Sequence, residues 1–146
     1  MGRGYSEVED AKIYWEAPLA FTIWSDKGPL FALAVEFWND TLCIRQLQGV
    51  GGASIPEDLR HWPNMFVEAC CLFARKANFK RVRLYRANQS LFYAYPDVSK
   101  VPLEKQIEEV SAIRKRMTRR YDYTAEQAGF VMMPRWGEWT NLKVRH

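Results

Sequence analysis

A glycine cluster, Gln48-Gly49-Val50-Gly51-Gly52-Ala53-Ser54, falls where a strand-like stretch gives way to a helical one. It constrains the fold more than any other feature. Upstream, Thr41 to Gln48 is rich in strand formers. Downstream, Met65, Phe66, Ala69, Cys70, Phe73 and Ala77 recur at spacings of one, three and four, which predicts a helix over 64–77 with Asn78 as its stop. Arg81 to Tyr85 then alternates, Val82 and Leu84 on one face and Arg81, Arg83 and Tyr85 on the other, as a strand with one wet side does. Strand, helix and strand in that order form a crossover. The strands at Thr41 and Arg81 are therefore expected to be parallel with a right-handed connection, and the glycine loop to lie at the carboxyl end of the first, where such sheets collect ligands.

The segments before the cluster add strands. Phe21 to Trp24 runs into the turn residues Ser25, Asp26, Lys27, Gly28 and Pro29, and Leu30 to Trp38 is almost wholly apolar. Asn39 and Asp40 supply a tight turn into Thr41, so three antiparallel strands are expected from Leu19 to Gln48. Residues 1–16 show only an apolar anchor, Ile13, Tyr14 and Trp15, compatible with a strand or a helix. Ser54 and Glu57 have capping-box spacing, and Pro63 is expected to interrupt and restart the helix.

Beyond Tyr85 the pattern loosens until Pro102. There Leu103, Ile107, Val110, Ile113 and Met117 form an apolar stripe, with Glu104, Glu108 and Glu109 early and Arg114, Lys115, Arg116, Arg119 and Arg120 late, an order that complements the helix dipole. The helix is expected to continue through Ala125 to Ala128 and stop at Gly129, with Val131 to Trp139 as a last strand. The whole predicts an α+β fold: a mixed, mostly antiparallel central sheet with one parallel strand-helix-strand crossover and helices on both faces. At 146 residues, one domain over 1–146 is expected.

Charge and composition narrow the chemistry. Through Ser54 there are four Lys/Arg against seven Asp/Glu, and the remainder carries seventeen against ten, so the second half is basic and suited to phosphate. An aromatic share of 14% predicts a well-filled core with an apolar groove left over. No apolar run approaches a membrane span and the first ten residues are polar, so a cytoplasmic protein with no membrane role is expected. Three cysteines without a Cys-x-x-Cys predict free thiols, and two histidines, one of them the last residue, argue against a His-based triad or metal site.

A glycine-rich turn at a helix start exposes main-chain N–H groups to phosphate. This one is not a P-loop, since no Gly-Lys-Ser/Thr follows, and Ser54 stands where a dinucleotide fingerprint needs glycine. Gln46, Gly49 and Gly51 instead have the Gln/Arg-x-x-Gly-x-Gly/Ala spacing of the pyrophosphate loop in the GNAT-type N-acetyltransferase superfamily, which the chain resembles. The order of elements from Leu19 to Trp139, including a helix ending in Gly129-Phe130, is similar as well.

The resemblance implies a GNAT-like domain that binds acetyl-CoA as co-substrate through Gln46, Gln48, Gly49, Val50, Gly51, Gly52 and Ala53, and transfers the acyl group to an amine acceptor. The family's proton-donating tyrosine lies four residues before Gly-Phe, a position held here by Ala125; Tyr121, one turn earlier, is the implied acid, and no base is named. Asn88 with Tyr95 offers another match to the same motif. The other reading is a catalytically inactive module of the same fold that binds a protein or, through its basic half, a nucleic acid, although no nucleic-acid motif is present. Trp136 and Trp139 are open to core packing, dimer packing or the lining of a groove, and a homodimer is open in both readings.

Overall fold

The computed structural model describes residues 5–8, 11–14, 17–50, 53–134 and 138–141, and for 5–8, 11–14 and 138–141 the backbone alone. The chain opens with an antiparallel ribbon, β1 (Tyr5–Val8) and β2 (Ala11–Tyr14), which forms a sheet of its own. Three antiparallel strands follow as the patterning predicts: β3 (Leu19–Ser25), β4 (Gly28–Trp38) and β5 (Thr41–Gly49). Gly28 has φ +124 and Asn39 φ 52, so each turn uses a residue that tolerates a positive φ. Leu30 to Val35 are buried without interruption, which is why β4 shows no polar alternation.

The crossover forms as expected. Its helix, α1 (Trp62–Lys76), begins ahead of the predicted 64–77 because Pro63 sits in its first turn, where a fixed φ and a missing N–H favour initiation. A 3-10 turn over Glu57–Leu59 precedes it, capped by Pro56 with no side-chain bond, so the Ser54–Glu57 capping box is not made. Asn78 ends the helix at φ 60, and the Phe79 N–H donates to the Ala74 carbonyl at 2.8 Å. The next strand, β6 (Arg81–Leu84), pairs parallel to β5 from Thr41↔Arg81 to Ile44↔Leu84.

The segment after β6 holds two elements the sequence reading left irregular, a 3-10 turn over Ala87–Gln89 and a short helix α2 (Leu91–Ala94), whose cap is the Ser90 hydroxyl accepting the Phe92 N–H at 3.2 Å. The long helix does continue. It runs as α3 (Gln106–Thr118), a π-helical turn (Arg119–Tyr123) and α4 (Thr124–Gln127), and closes at Gly129 with φ 77. The expected last strand is two strands, β7 (Val131–Met133) and β8 (Glu138–Asn141), because the chain turns at Pro134 and pairs back on itself. The main sheet has the order β3-β4-β5-β6-β8-β7, and only β5 and β6 run parallel. The fold is α+β with a mixed, mostly antiparallel sheet.

One continuous core joins the sheet to the helices, through Leu33, Leu42, Leu47, Val67, Leu84, Met117 and Tyr121 among others. Each fully buried aliphatic side chain there contributes about 1.5–3 kcal/mol relative to exposure. Two predicted stripes are rotated. α1 buries Trp62, Val67, Cys70 and Ala74 and leaves Met65 and Phe73 half exposed, because Trp62 lies flat on Phe31 with ring centroids 4.7 Å apart and sets the helix's roll. α3 buries Ile113 and Met117 but leaves Ile107 in solvent, as it does Leu103 in the 3-10 turn before it.

Candidate functional site

The strands β5 and β6 part company near the glycine loop. Their pairing ends at Ile44↔Leu84, closed by the Tyr85 N–H donating to the Ile44 carbonyl at 3.0 Å, whereas β5 continues to Gly49. The chain beyond Tyr85 turns away into the 3-10 turn at Ala87. Residues 45–49 of β5 therefore have a strand on one side only, β4.

A bulge sharpens this end. Val35 pairs with Ile44 and Ala34 with Gln46, so Arg45 has no partner in the register. The extra residue reverses the alternation. The sequence places Gln46 and Gln48 on the face of Leu42 and Ile44; the bulge moves them to the opposite face, in register with Ala34 and Ala32. There Gln46 is buried and its Nε2 donates to Gln48 Oε1 at 2.6 Å. Arg45, on the same face, bonds Glu36 at 2.8 Å and stacks over Tyr85 with its guanidinium 5.0 Å from the ring centre.

The helical run supplies the other wall. Its π turn carries one more residue per turn than an α-helix and so re-aims the side chains within it. Tyr121 is 1% exposed, and its hydroxyl accepts the Leu47 N–H at 2.8 Å. That N–H lies on the stretch of β5 that has outrun β6, so the phenol supplies a bond the missing strand neighbour cannot. Arg120 turns inward beside it. Its guanidinium sits 5.6 Å from the Trp62 ring centre and against Gly49, where an added Cβ would come within 3.4 Å of Nη2. Burial pushes this guanidinium below its ordinary value; Tyr121 opposes that and Arg116 adds to it. Arg120 makes no ion pair among the described residues.

Together these groups enclose a cavity of about 470 Å³ at the parted strand ends. Gln46, Gln48, Gly49 and Val50 line it from β5 and the loop, and Arg116, Arg120 and Tyr121 from the helical run, with Asp97 as the carboxylate of the lining. Of the predicted phosphate loop, Gly51 and Gly52 lie outside the described residues, and the Ala53 N–H is spent on the Val50 carbonyl at 3.2 Å. Gly49 is covered by a cation instead of standing bare.

The basic cluster of the long helix divides by residue. Arg114 donates to the carbonyls of Tyr93 and Ala94 at 3.0 and 3.3 Å, Arg116 pairs with Glu109 at 3.3 Å, and Arg120, half-buried, turns to Trp62 and Gly49. Sequence reasoning read the cluster as complementing the helix dipole, within a basic half suited to phosphate; the i, i+4 spacing of Arg116 and Arg120 was the available signal that both reach one place. Tyr95 and Tyr123 are exposed and line no part of this cavity. Trp136 lies outside the described residues, as does the Trp139 side chain. A wider cleft of about 860 Å³ on the outer side of α3, beside Tyr93 and Arg114, gathers none of the strand-end residues.

None of the three cysteines is in a disulfide, and burial, with Cys71 adjacent, pushes the Cys70 thiol up to about 12. Among the described residues no helix is long and apolar enough to cross a membrane, and no cluster of three or more His, Cys, Asp or Glu could hold a metal ion. No family model, curated protein or solved structure matches the chain.

Proposed function

We propose that the chain is a GNAT-like acyl-CoA-binding protein, an N-acetyltransferase that moves an acetyl group from acetyl-CoA to an amine. One observation carries the reading: Arg120, desolvated and without a counter-ion among the described residues, faces a cavity at the parted ends of two parallel strands. A half-buried cation of this kind is stabilised by an anionic ligand, and a pyrophosphate supplies one. The cavity's volume is in the range of small-molecule sites.

In this reading Gln46, Gln48, Gly49 and Val50, with the loop through Ala53, receive the pyrophosphate end, and the pantetheine arm enters between the strand tips. The thioester is already activated, so the protein's work is positioning and proton handling. The amine nitrogen attacks the thioester carbon, the carbon–sulfur bond breaks, and the departing thiolate takes a proton from Tyr121. Because the Tyr121 oxygen accepts the Leu47 N–H, its own proton points elsewhere, and the same N–H stabilises the phenolate left behind. The nitrogen loses its extra proton to water. Isothermal calorimetry tests the first step: acetyl-CoA is expected to bind, and Arg120→Met to weaken it at least tenfold. Absence of binding at millimolar acetyl-CoA overturns the reading.

A second reading draws on the same hydroxyl. Tyr121 fills the space between the strand tips and occupies the Leu47 donor, so an arm entering there has to lie alongside the ring or move it. That favours a module of the same fold without transfer chemistry, which binds a protein or nucleic acid through its basic half. Binding to single- or double-stranded nucleic acid that falls steeply with salt, with no response to acetyl-CoA, selects this reading.

A further inference from the structure

Among the described residues, the outer strand β3 has one side of its main chain without a neighbour in the main sheet. Its sequence, Leu-Ala-Phe-Thr-Ile-Trp-Ser, contains no charge and no proline, the devices that keep free edges apart. Leu19, Phe21 and Ile23 alternate onto one face and are all exposed, Phe21 at 48%. That face runs on into a groove of about 270 Å³ between β4 and α1, walled by Leu33, Val35, Phe37, Phe66 and Phe73. Phe73, which the helical spacing marks as core-facing, stands half exposed in its wall. The sequence is patterned to bury this surface, and the described residues of one copy leave it open.

We propose that a second copy of the chain covers it, β3 pairing antiparallel with the partner's β3 about a two-fold axis. The apolar positions are arranged for this. With the axis at Phe21, Leu19 stands opposite the partner's Ile23, Phe21 opposite the partner's Phe21, and the two grooves join into one apolar floor. An antiparallel strand pair is self-complementary under a two-fold, so the contact closes at two copies. The half-exposed aromatic and aliphatic side chains offer roughly 500 Å² of apolar surface per copy, taking ~150–250 Å² for each fully buried aromatic. The strand main chain adds to this, which brings the interface near the ~800 Å² per partner of a stable complex. The inference uses no residue of the cavity at Arg120 and stands apart from the acyl-CoA reading.

Sedimentation velocity on the full chain from about 1 to about 100 µM is the test, the range in which such an interface dissociates. Dimers are expected, and Phe21→Lys, which sets like charges face to face at the axis, is expected to yield monomers with an unchanged circular-dichroism spectrum. Phe21→Cys keeps the proposal testable should the lysine variant unfold. Directly opposed Cβ atoms lie ~4.5–5.5 Å apart, so mild oxidation should give a disulfide-linked dimer that the unsubstituted chain does not form. Monomers throughout the concentration range, dimers that survive Phe21→Lys, or a Phe21→Cys variant that does not cross-link each overturn it.

Discussion

Replacing Tyr121 by phenylalanine isolates the contact that closes the parted strand ends. The ring is 1% exposed and belongs to the core, so Tyr121→Phe keeps the packing and removes a single oxygen. What it leaves is the Leu47 N–H, buried, donating at 2.8 Å to an atom no longer there. A buried donor stripped of its acceptor costs about 1–3 kcal/mol, because the group has lost water and gained nothing in return. With a urea dependence of ~1–3 kcal/mol per molar for a small protein, the unfolding midpoint should fall by about 0.5–1.5 M with an unchanged slope. Equilibrium unfolding in urea, followed by tryptophan fluorescence, reads this directly. Tyr121→Ala, which also empties the ring's volume, should cost about 3–5 kcal/mol. A Tyr121→Phe variant as stable as the parent would mean that Leu47 finds another acceptor at once, and the phenol would then be packing alone.

The geometry sets further outcomes. Gly49→Ala should leave the melting temperature nearly unchanged, since the new methyl meets Arg120 Nη2 at an ordinary 3.4 Å; Gly49→Leu should dislodge Arg120 from Trp62 and, under the proposed acyl-CoA reading, abolish acetyl-CoA binding, with melting and binding both readable by calorimetry. Cys70, whose thiol is held protonated up to about 12, should resist maleimide at pH 8 in the folded chain and react once urea unfolds it. Its folded value lies above its ordinary 9.0, so the unfolded chain releases the proton first and stability should decline as pH rises beyond 9, visible as a falling urea midpoint. Glu36→Gln removes the charge bonded to Arg45 at 2.8 Å, with both side chains about one-quarter exposed; a loss of about 1–2 kcal/mol is expected in thermal unfolding.

The legibility of the chain follows the range of the forces involved. Turns at Gly28 and Asn39, the helix stops at Asn78 and Gly129, and the strand-helix-strand crossover were readable because each depends on a residue's own φ preference or on a period within one segment. The helix start at Trp62 was nearly so, displaced only by the preference of Pro63 for a first turn. The capping box at Ser54 was legible and did not form, because Pro56 caps the turn that occupies those residues.

The candidate site mixes the two kinds of information. Gln46, Gln48, Gly49, Val50 and Tyr121 were singled out as what the family resemblance implies, and the fold brings all five to one cavity. Their orientation was not readable: the bulge at Arg45 exists only as a register between β4 and β5, and it alone turns Gln46 away from the face of Ile44. Arg120 is the clearest case. As sequence it is the last of a basic run, set apart from Arg119 only by its i, i+4 spacing from Arg116; a π turn and a gap left by a glycine beside Trp62 draw it inward. Local preference thus determined which elements form and where they end, since backbone conformation is a property of neighbours in the chain. Register, roll and the inward turn of Arg120 were decided by the tertiary structure, because they depend on surfaces that meet only after residues far apart in sequence have packed together.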